Sequence, residues 1–259
     1  MTALVPTWNA LTESPLAAYG SYAPQFVPLP DEPTAAVDVA RRFVEIDPVA
    51  PAVSVFASPS SEQALAGLFA YLAQATIDGD LPVHCRFADT RILPSLLTRL
   101  APQQVARVAR DISSWSWIDH LGVVASWQRS GASSADDSPH LQLTMPQMDA
   151  MLRASEPDTM FELLRDNTPE LLPAEHRGKF RDRIAGLLVR ADGRQVETSK
   201  DRLQFLILGL CFDDTVDEEP ELQPTWQAIA NRQTTLLAAM QAWDDALWER
   251  RELRREVVR

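Results

Sequence analysis

Histidine and cysteine are side chains that proteins often use for acid–base catalysis, nucleophilic attack and metal binding, and this chain has few of them. The sequence contains four histidines and two cysteines, which are His84, His120, His140, His176, Cys85 and Cys211. None belongs to an H-E-x-x-H motif or a C-x-x-C pair. A G-x-S-x-G nucleophile elbow, a P-loop and a G-x-G-x-x-G fingerprint are also absent. The sequence therefore predicts no metal site and no cofactor.

One catalytic arrangement can be drawn from the remaining polar residues, and it centres on His120. Asp119 precedes this histidine, and Cys85 or Ser126 supplies a nucleophile for a triad. Asp89 is the other acidic partner for His120. A chain of this length supplies such combinations by chance. We therefore expect no enzyme and keep a small hydrolase, using His120 with Asp119 or Asp89, as the alternative.

The segment 86–93 (RFADTRIL) carries a more informative pattern, because it lies where a predicted strand leads into a predicted helix. Asp89 is placed to cap the helix by accepting hydrogen bonds from free backbone N–H groups. Arg86 is placed to pair with Asp89 and to fix the corner between strand and helix. The other interpretation is that Arg86 or Arg91 contacts a binding partner directly.

Composition narrows the classes of partner. The chain has 259 residues, of which 46% are hydrophobic and 23% charged, as expected of a folded protein. It has 24 basic and 36 acidic residues, and the formal charge of −12 disfavours nucleic acid and acidic lipid as partners. No apolar run reaches the roughly 20 residues of a membrane span, and the start shows no signal peptide. With only two cysteines, a cytoplasmic location is expected.

The first 130 residues alternate between strand and helix patterns. Runs at 52–57 (AVSVFA) and 83–87 (VHCRF) predict strands. Between them, an S-x-x-Q capping box at Ser60 begins a helix that Asp78-Gly79 is expected to end. A second helix is predicted at 92–100. This strand–helix–strand–helix order is typical of a small α/β unit in which the two strands pair in parallel.

Two further strands are predicted at 112–118 and 122–128, with Trp115 and Trp127 in the core. The polar segment 129–139 (RSGASSADDSP) that follows is predicted to be a linker. The predicted fold class is therefore α+β. A small N-terminal α/β lobe with a short mixed sheet spans 1–130, and an all-helical lobe spans 140–259.

The helical lobe begins at a capping box formed by Thr144 and Gln147, and separate helices are expected around 148–152 and 160–164. Asp192-Gly193 is expected to end a third helix, and Thr198 to cap a fourth.

A long amphipathic helix is predicted from Thr225 to near Val257. Apolar residues recur at spacings of three and four and form a seam over three heptads, made of Trp226, Ile229, Leu236, Met240, Trp243 and Leu247. Gln233 interrupts this seam. The seam either packs on its own lobe or docks a partner helix or a second copy, the latter giving a self-associating helical scaffold.

The 86–93 segment resembles the R-[FW]-[YW]-D-P-R-V-L signature of the type VI secretion adaptor family, the effector chaperones encoded beside spike-protein genes. Ala88 and Thr90 stand where that family has an aromatic residue and a proline. Further similar elements follow one another at 22–27 (YAPQFV), 96–104 (LLTRLAPQQ), 112–117 (ISSWSW), 143–148 (LTMPQM) and 203–214 (LQFLILGLCFDD). The resemblance covers roughly residues 20–230.

The resemblance implies a binding function. Such proteins hold a toxic effector in the cytosol and help to load it on the spike protein, and they are not enzymes. The expected function is thus a cytoplasmic adaptor and chaperone whose partners are a type VI effector and the spike protein complex. The residues expected to serve binding or to fix the corner are Arg86, Asp89 and Arg91.

Overall fold

A computed structural model of the chain describes residues 7–46, 52–128, 134–212, 215–244 and 248. The chain divides into two compact units, Met1–Ser155 and Glu156–Arg259. The predicted α+β class is confirmed, with small sheets in the N-terminal half and helices in the C-terminal half. The division falls after β8 (Leu141–Leu143), because this strand, which follows the predicted linker, pairs with a strand of the first unit. Within the described residues, no helix is both long and apolar enough to span a membrane.

The first unit contains mostly short elements. Its strands are β1 (Trp8–Asn9), β2 (Gln25–Phe26), β3 (Ser54–Ala57), β4 (Gln74–Ile77), β5 (Leu81–His84), β6 (Ser114–Ile118), β7 (Val124–Gln128) and β8. Its helices are a 3₁₀ helix at Pro15–Tyr22, α1 (Pro33–Ile46), α2 (Glu62–Ala73), α3 (Leu93–Arg99), α4 (Pro102–Asp111) and the start of α5 (Met145–Asn167).

These strands form three small sheets within the described residues, with orders β1-β2, β3-β6-β7 and β5-β4-β8. The β4–β8 pair is parallel and the other pairs are antiparallel. The predicted parallel pairing of the strands at 52–57 and 83–87 is therefore wrong. β3 pairs with β6, and β5 pairs with β4, a strand in a segment that is predicted to be the end of a helix.

Asp78 and Gly79 explain this error. Both have positive φ, 49° and 87°, as is typical of short turns between antiparallel strands, and they lie in the three-residue loop at 78–80 that joins β4 and β5. The dipeptide therefore closes the β4–β5 hairpin, and α2 ends five residues earlier, at Ala73. The cap of α2 also differs from the prediction, because Ser61 accepts the hydrogen bond from Ala64 N. Ser60 instead donates to the carboxylate of Asp111 at 2.9 Å.

The core of the first unit is built around the buried ring of Phe69. Its centroid lies 4.4 Å from Phe26, 5.1 Å from Phe87 and 5.9 Å from Trp115. The predicted β6–β7 hairpin is confirmed, and it places Trp115 opposite Trp127. Trp115 is buried and Trp127 packs half-buried against the same core, as predicted.

The described part of the predicted linker is held against α2 and α4. The hydroxyl of Tyr71 donates to Asp136 Oδ2 at 2.8 Å. Arg107 donates to the carbonyls of Asp136 and Ser138, and its guanidinium lies 3.9 Å from the centroid of the Tyr71 ring. Residues 134–138 are thus fixed to the first unit by specific contacts.

The second unit is helical throughout its described part. It contains the rest of α5, a 3₁₀ helix at Pro169–Leu171, α6 (Arg177–Gly193), α7 (Ser199–Cys211), two 3₁₀ turns at Val216–Glu218 and Pro220–Leu222, α8 (Gln223–Ala230) and α9 (Leu236–Gln241). The capping box of Thr144 and Gln147 and the cap at Thr198 are confirmed. The helices expected around 148–152 and 160–164 are one helix, which continues through Pro157.

The prediction of one long terminal helix is wrong. Within the described residues this segment contains two short helices, α8 and α9, separated at 231–235, where Arg232 has a positive φ of 56°. Arg232 N donates to Ile229 O, and Gln233 N donates to Ala228 O, so the end of α8 is closed by its own backbone. The rest of the predicted helix, at 245–247 and from 249 onward, lies outside the described residues.

At Gly209, α7 packs closely against the side chain of Leu187 on α6. A Cβ atom at this position would lie 2.5 Å from Leu187 Cδ2, inside the core of the second unit. We expect Gly209→Ala to lower the free energy of unfolding by about 1–3 kcal/mol, because the buried Leu187 must shift. Gly186→Ala, in open space on α6, is the control and should raise stability by about 0.5–1 kcal/mol. Urea denaturation measures both variants, and equal effects would contradict the close packing.

Candidate functional site

The first unit contains a cleft with a volume of about 1130 Å³. One side is formed by the proline-rich segment around β2 and by α1, and the other by β3 and the 84–91 segment. The residues that matter for its chemistry are Phe26, Phe43, Phe56, Arg86, Asp89 and Arg91. Aromatic side chains thus line one part of the cleft and two arginines another.

The apolar part of the cleft rests on the core. Phe26 is half-buried, with its ring centroid 4.4 Å from that of Trp8 and 5.3 Å from that of Phe56. Phe43, on α1, is also half-buried. The rings of Phe26 and Phe56 pack against the core, and all three rings line the cleft and are partly exposed. Such an arrangement suits an apolar side chain of a ligand or of a binding partner.

The polar part of the cleft is organised by the carboxylate of Asp89, which is 7% exposed. Arg86 Nη2 donates to Asp89 Oδ2 at 2.8 Å. Arg91 donates from Nε to Oδ1 at 3.0 Å and from Nη2 to Oδ2 at 2.8 Å, a bidentate pair. The predicted pairing of Arg86 with Asp89 is confirmed, and Arg91 joins it as a second cation.

Asp89 does not cap α3 as the sequence predicted. The helix begins at Leu93 after Ile92, without a hydrogen bond from a capping side chain. Asp89 instead accepts from Arg91 N at 3.0 Å, which closes a turn two residues long. Its main-chain carbonyl accepts from the amides of Ile92 and Leu93 at 2.9 Å, so the residue still fixes the corner before the helix.

The environment of Asp89 keeps its carboxylate charged. Burial alone would raise the pKa of Asp89, but hydrogen bonds from Arg91 and the charges of Arg91 and Arg86 outweigh burial and lower the pKa. A carboxylate with a lowered pKa, already accepting from two arginines, is a weak general base. This geometry gives little support to a hydrolase that uses Asp89.

Cys85 and Asp119 are two further residues of the hydrolase alternative, and both lie in surroundings that suit a structural role. Burial raises the pKa of the Cys85 thiol to about 12, so it is protonated near neutral pH and is a poor nucleophile. Asp119 Oδ1 accepts from Leu121 N at 2.8 Å and from Val123 N at 2.9 Å, and so shapes the β6–β7 turn. His120 is exposed in that turn. In the part of the chain that the structure describes, no group of three or more His, Cys, Asp or Glu side chains is placed to bind a metal ion.

The seam residues belong to the second unit. Trp226, Ile229 and Leu236 are buried in its core, and Met240 and Trp243 pack half-buried against the same core. Trp243 Nε1 also donates to Thr225 Oγ1 at 3.3 Å. The described seam therefore serves internal packing, which was one of its two interpretations. Leu247 lies outside the described residues.

The comparisons with known proteins concern the unit that contains the cleft. A family model described as Domain of unknown function (DUF4123) matches residues 3–107. No curated protein and no solved structure matches the chain. The matched segment includes Arg86, Asp89 and Arg91 together with the aromatic side chains of the cleft, Phe26, Phe43 and Phe56.

Sequence reasoning found the charged part of this site and missed its apolar part. Arg86, Asp89 and Arg91 lie within six residues, so spacing alone brings them together. Phe26, Phe43 and Phe56 come from three separate elements. The nearest signal in the sequence is the density of prolines around β2, which prevents this segment from forming long regular elements of its own.

Proposed function

We propose that this chain is a cytoplasmic adaptor and chaperone that binds a type VI secretion effector and helps to load it on the spike protein. The observation that carries the proposal is the position of the Arg86–Asp89–Arg91 cluster. It is the segment that resembles the adaptor signature, and it lines an accessible cleft within the matched region. The DUF4123 match adds a family of unknown function over the same residues and names no partner.

The chemistry of the cleft suits binding better than turnover. Its aromatic rings offer apolar contact area, and its exposed guanidinium offers directed hydrogen bonds. Its acidic residue, Asp89, is held by two arginines, and its thiol, Cys85, has a raised pKa. A protein segment that combines apolar and acidic side chains matches these features.

Co-expression tests the proposal. The full chain, tagged, should co-purify with the toxin encoded beside a neighbouring spike-protein gene and should form a complex that survives gel filtration. A generic ester or phosphate substrate should not be hydrolysed above background. The absence of a complex, or a hydrolysis rate that His120→Ala abolishes, would contradict the proposal.

A further inference from the structure

We infer that the cleft takes an extended segment of the effector, which pairs with the edge of β3 opposite β6 and places an acidic side chain against Arg86. The inference rests on the proposed function, because it specifies how that effector is recognised. It has three parts: a strand edge that sets the conformation of the segment, aromatic rings that contact its apolar side chains, and a cation that fixes its register.

Within the described part of the chain, one edge of β3 is available for pairing with an extended chain. β3 is the terminal strand of the β3-β6-β7 sheet and also lines the cleft. Among the described residues, the backbone of 54–57 makes hydrogen bonds only toward β6 and the residue before it, Ser113. An unpaired strand edge carries N–H and C=O groups that an extended chain can satisfy. β7, the opposite edge of the same sheet, has no residue in the cleft.

The aromatic rings determine which side chains the segment needs. Phe56, on β3, contacts Phe26, with 5.3 Å between ring centroids, and is half-buried. Phe43, on α1, also lines the cleft. Side chains of a strand alternate between the two faces of a sheet, so every second residue of an added strand would face these rings. The segment should therefore carry apolar residues at alternate positions.

Arg86 supplies the charge. Its side chain is 64% exposed, and of its donors the described contacts occupy Nη2, which binds Asp89. An arginine has five N–H donors, so others can reach a carboxylate of the partner. The chain as a whole carries a formal charge of −12, so an exposed arginine in the cleft is a favourable position for an acidic side chain of the partner. Arg86 therefore sets where along the cleft the acidic residue lies.

Hydrogen–deuterium exchange on the full chain, free and bound to the co-purifying toxin, tests the strand pairing. We expect amides within 53–57 to exchange at least tenfold more slowly in the complex, while those of β7 at 124–128 keep their rates. One segment of the toxin should gain protection together with β3. A stable complex in which 53–57 exchanges at the free rate would overturn the inference but leave the proposed function standing. If no complex forms, the proposed function itself fails.

A matched pair of arginine variants tests the contact of Arg86. Arg86 and Arg110 are both exposed and each donates to a buried carboxylate, Asp89 or Asp111, but Arg110 does not line the cleft. We expect Arg86→Gln to raise the Kd for the toxin at least tenfold, as measured by isothermal titration calorimetry. Arg110→Gln should leave the Kd within twofold of the parent. Equal affinities for the two variants would overturn the role of Arg86.

Discussion

Replacing Arg202 with alanine is expected to lower the free energy of unfolding of the second unit by about 3–5 kcal/mol. The Arg202 side chain is 9% exposed and makes a bidentate pair with Glu156, at 2.5 and 2.8 Å. It also donates to Asp192 Oδ1 at 2.6 Å and to the carbonyl of Val196 at 3.0 Å. Burial alone would lower the pKa of Arg202, but these acceptors outweigh burial and raise it. Removing the guanidinium leaves all of these acceptors without their cation.

Urea denaturation followed by circular dichroism measures this loss. The control is Arg232→Ala, because Arg232 is 82% exposed and lies 3.4 Å from Glu197, which is also exposed. Surface pairs of this kind contribute about 0–1 kcal/mol. A loss below about 1 kcal/mol for Arg202→Ala would show that the network does not hold α5, α6 and α7 together.

Asp89→Ala is expected to lower the free energy of unfolding of the first unit by about 2–3 kcal/mol. The variant removes the acceptor of Arg86 and Arg91 and opens the turn closed by Arg91 N. Both arginines are partly exposed, at 64% and 31%, so their charges can turn toward water. For this reason the effect should be smaller than for Arg202.

The contribution of Asp89 to the free energy of unfolding should fall as the pH is lowered. Its folded-state pKa is lowered from the ordinary value of 3.8, so its charged form stabilises the folded state. The stability difference between the parent and Asp89→Ala should be complete at neutral pH. It should shrink as the pH falls through 3.8 and close once the pH passes below the folded-state pKa of Asp89.

Asp38→Ala is the matched control for Asp89. Asp38 also pairs with an arginine three residues away, at 3.4 Å, but both side chains are exposed. Its loss should change stability by less than about 0.5 kcal/mol at any pH. A similar result for the two aspartates would contradict the role of Asp89 in fixing the corner between β5 and α3.

The features that the sequence predicted correctly depend on neighbours in the chain. Thr144 and Gln147 satisfy each other's backbone, and Thr198 caps α7 through Asp201 N, within three residues in each case. The β6–β7 hairpin is closed by the Asp119 turn. Arg86, Asp89 and Arg91 are also close in sequence, so the contacts among them are local as well. Local hydrogen bonding of this kind can be inferred without the rest of the fold.

The features that could not be predicted depend on residues far apart in the chain. α2 ends at Ala73 and β4 begins at the next residue, Gln74, with no glycine or proline at the junction. β4 exists because β5 and β8 pair with it on either side. The break between α8 and α9 likewise contains no proline or glycine, and the apolar spacing continues across it. The structure shows the break in the left-handed conformation of Arg232 and in the cap of α9 by Thr235.

The open face of the cleft was also beyond prediction. Phe26, Phe43 and Phe56 have the spacing of ordinary core residues within their own elements. Periodicity shows that a side chain faces other apolar groups, but it does not show which part of that packing stays accessible to a partner. That information lies in how three separate elements of the first unit come together.

The most direct test of the proposed function is a three-component reconstitution analysed by gel filtration with light scattering. The purified chain, a toxin encoded beside a neighbouring spike-protein gene and that spike protein should elute as one complex. Toxin and spike protein mixed without the chain should elute separately. Arg86→Gln should reduce the amount of toxin in the complex, and Arg110→Gln should not. If the toxin elutes with the spike protein equally well without the chain, or if the chain elutes alone in every mixture, the adaptor function is wrong.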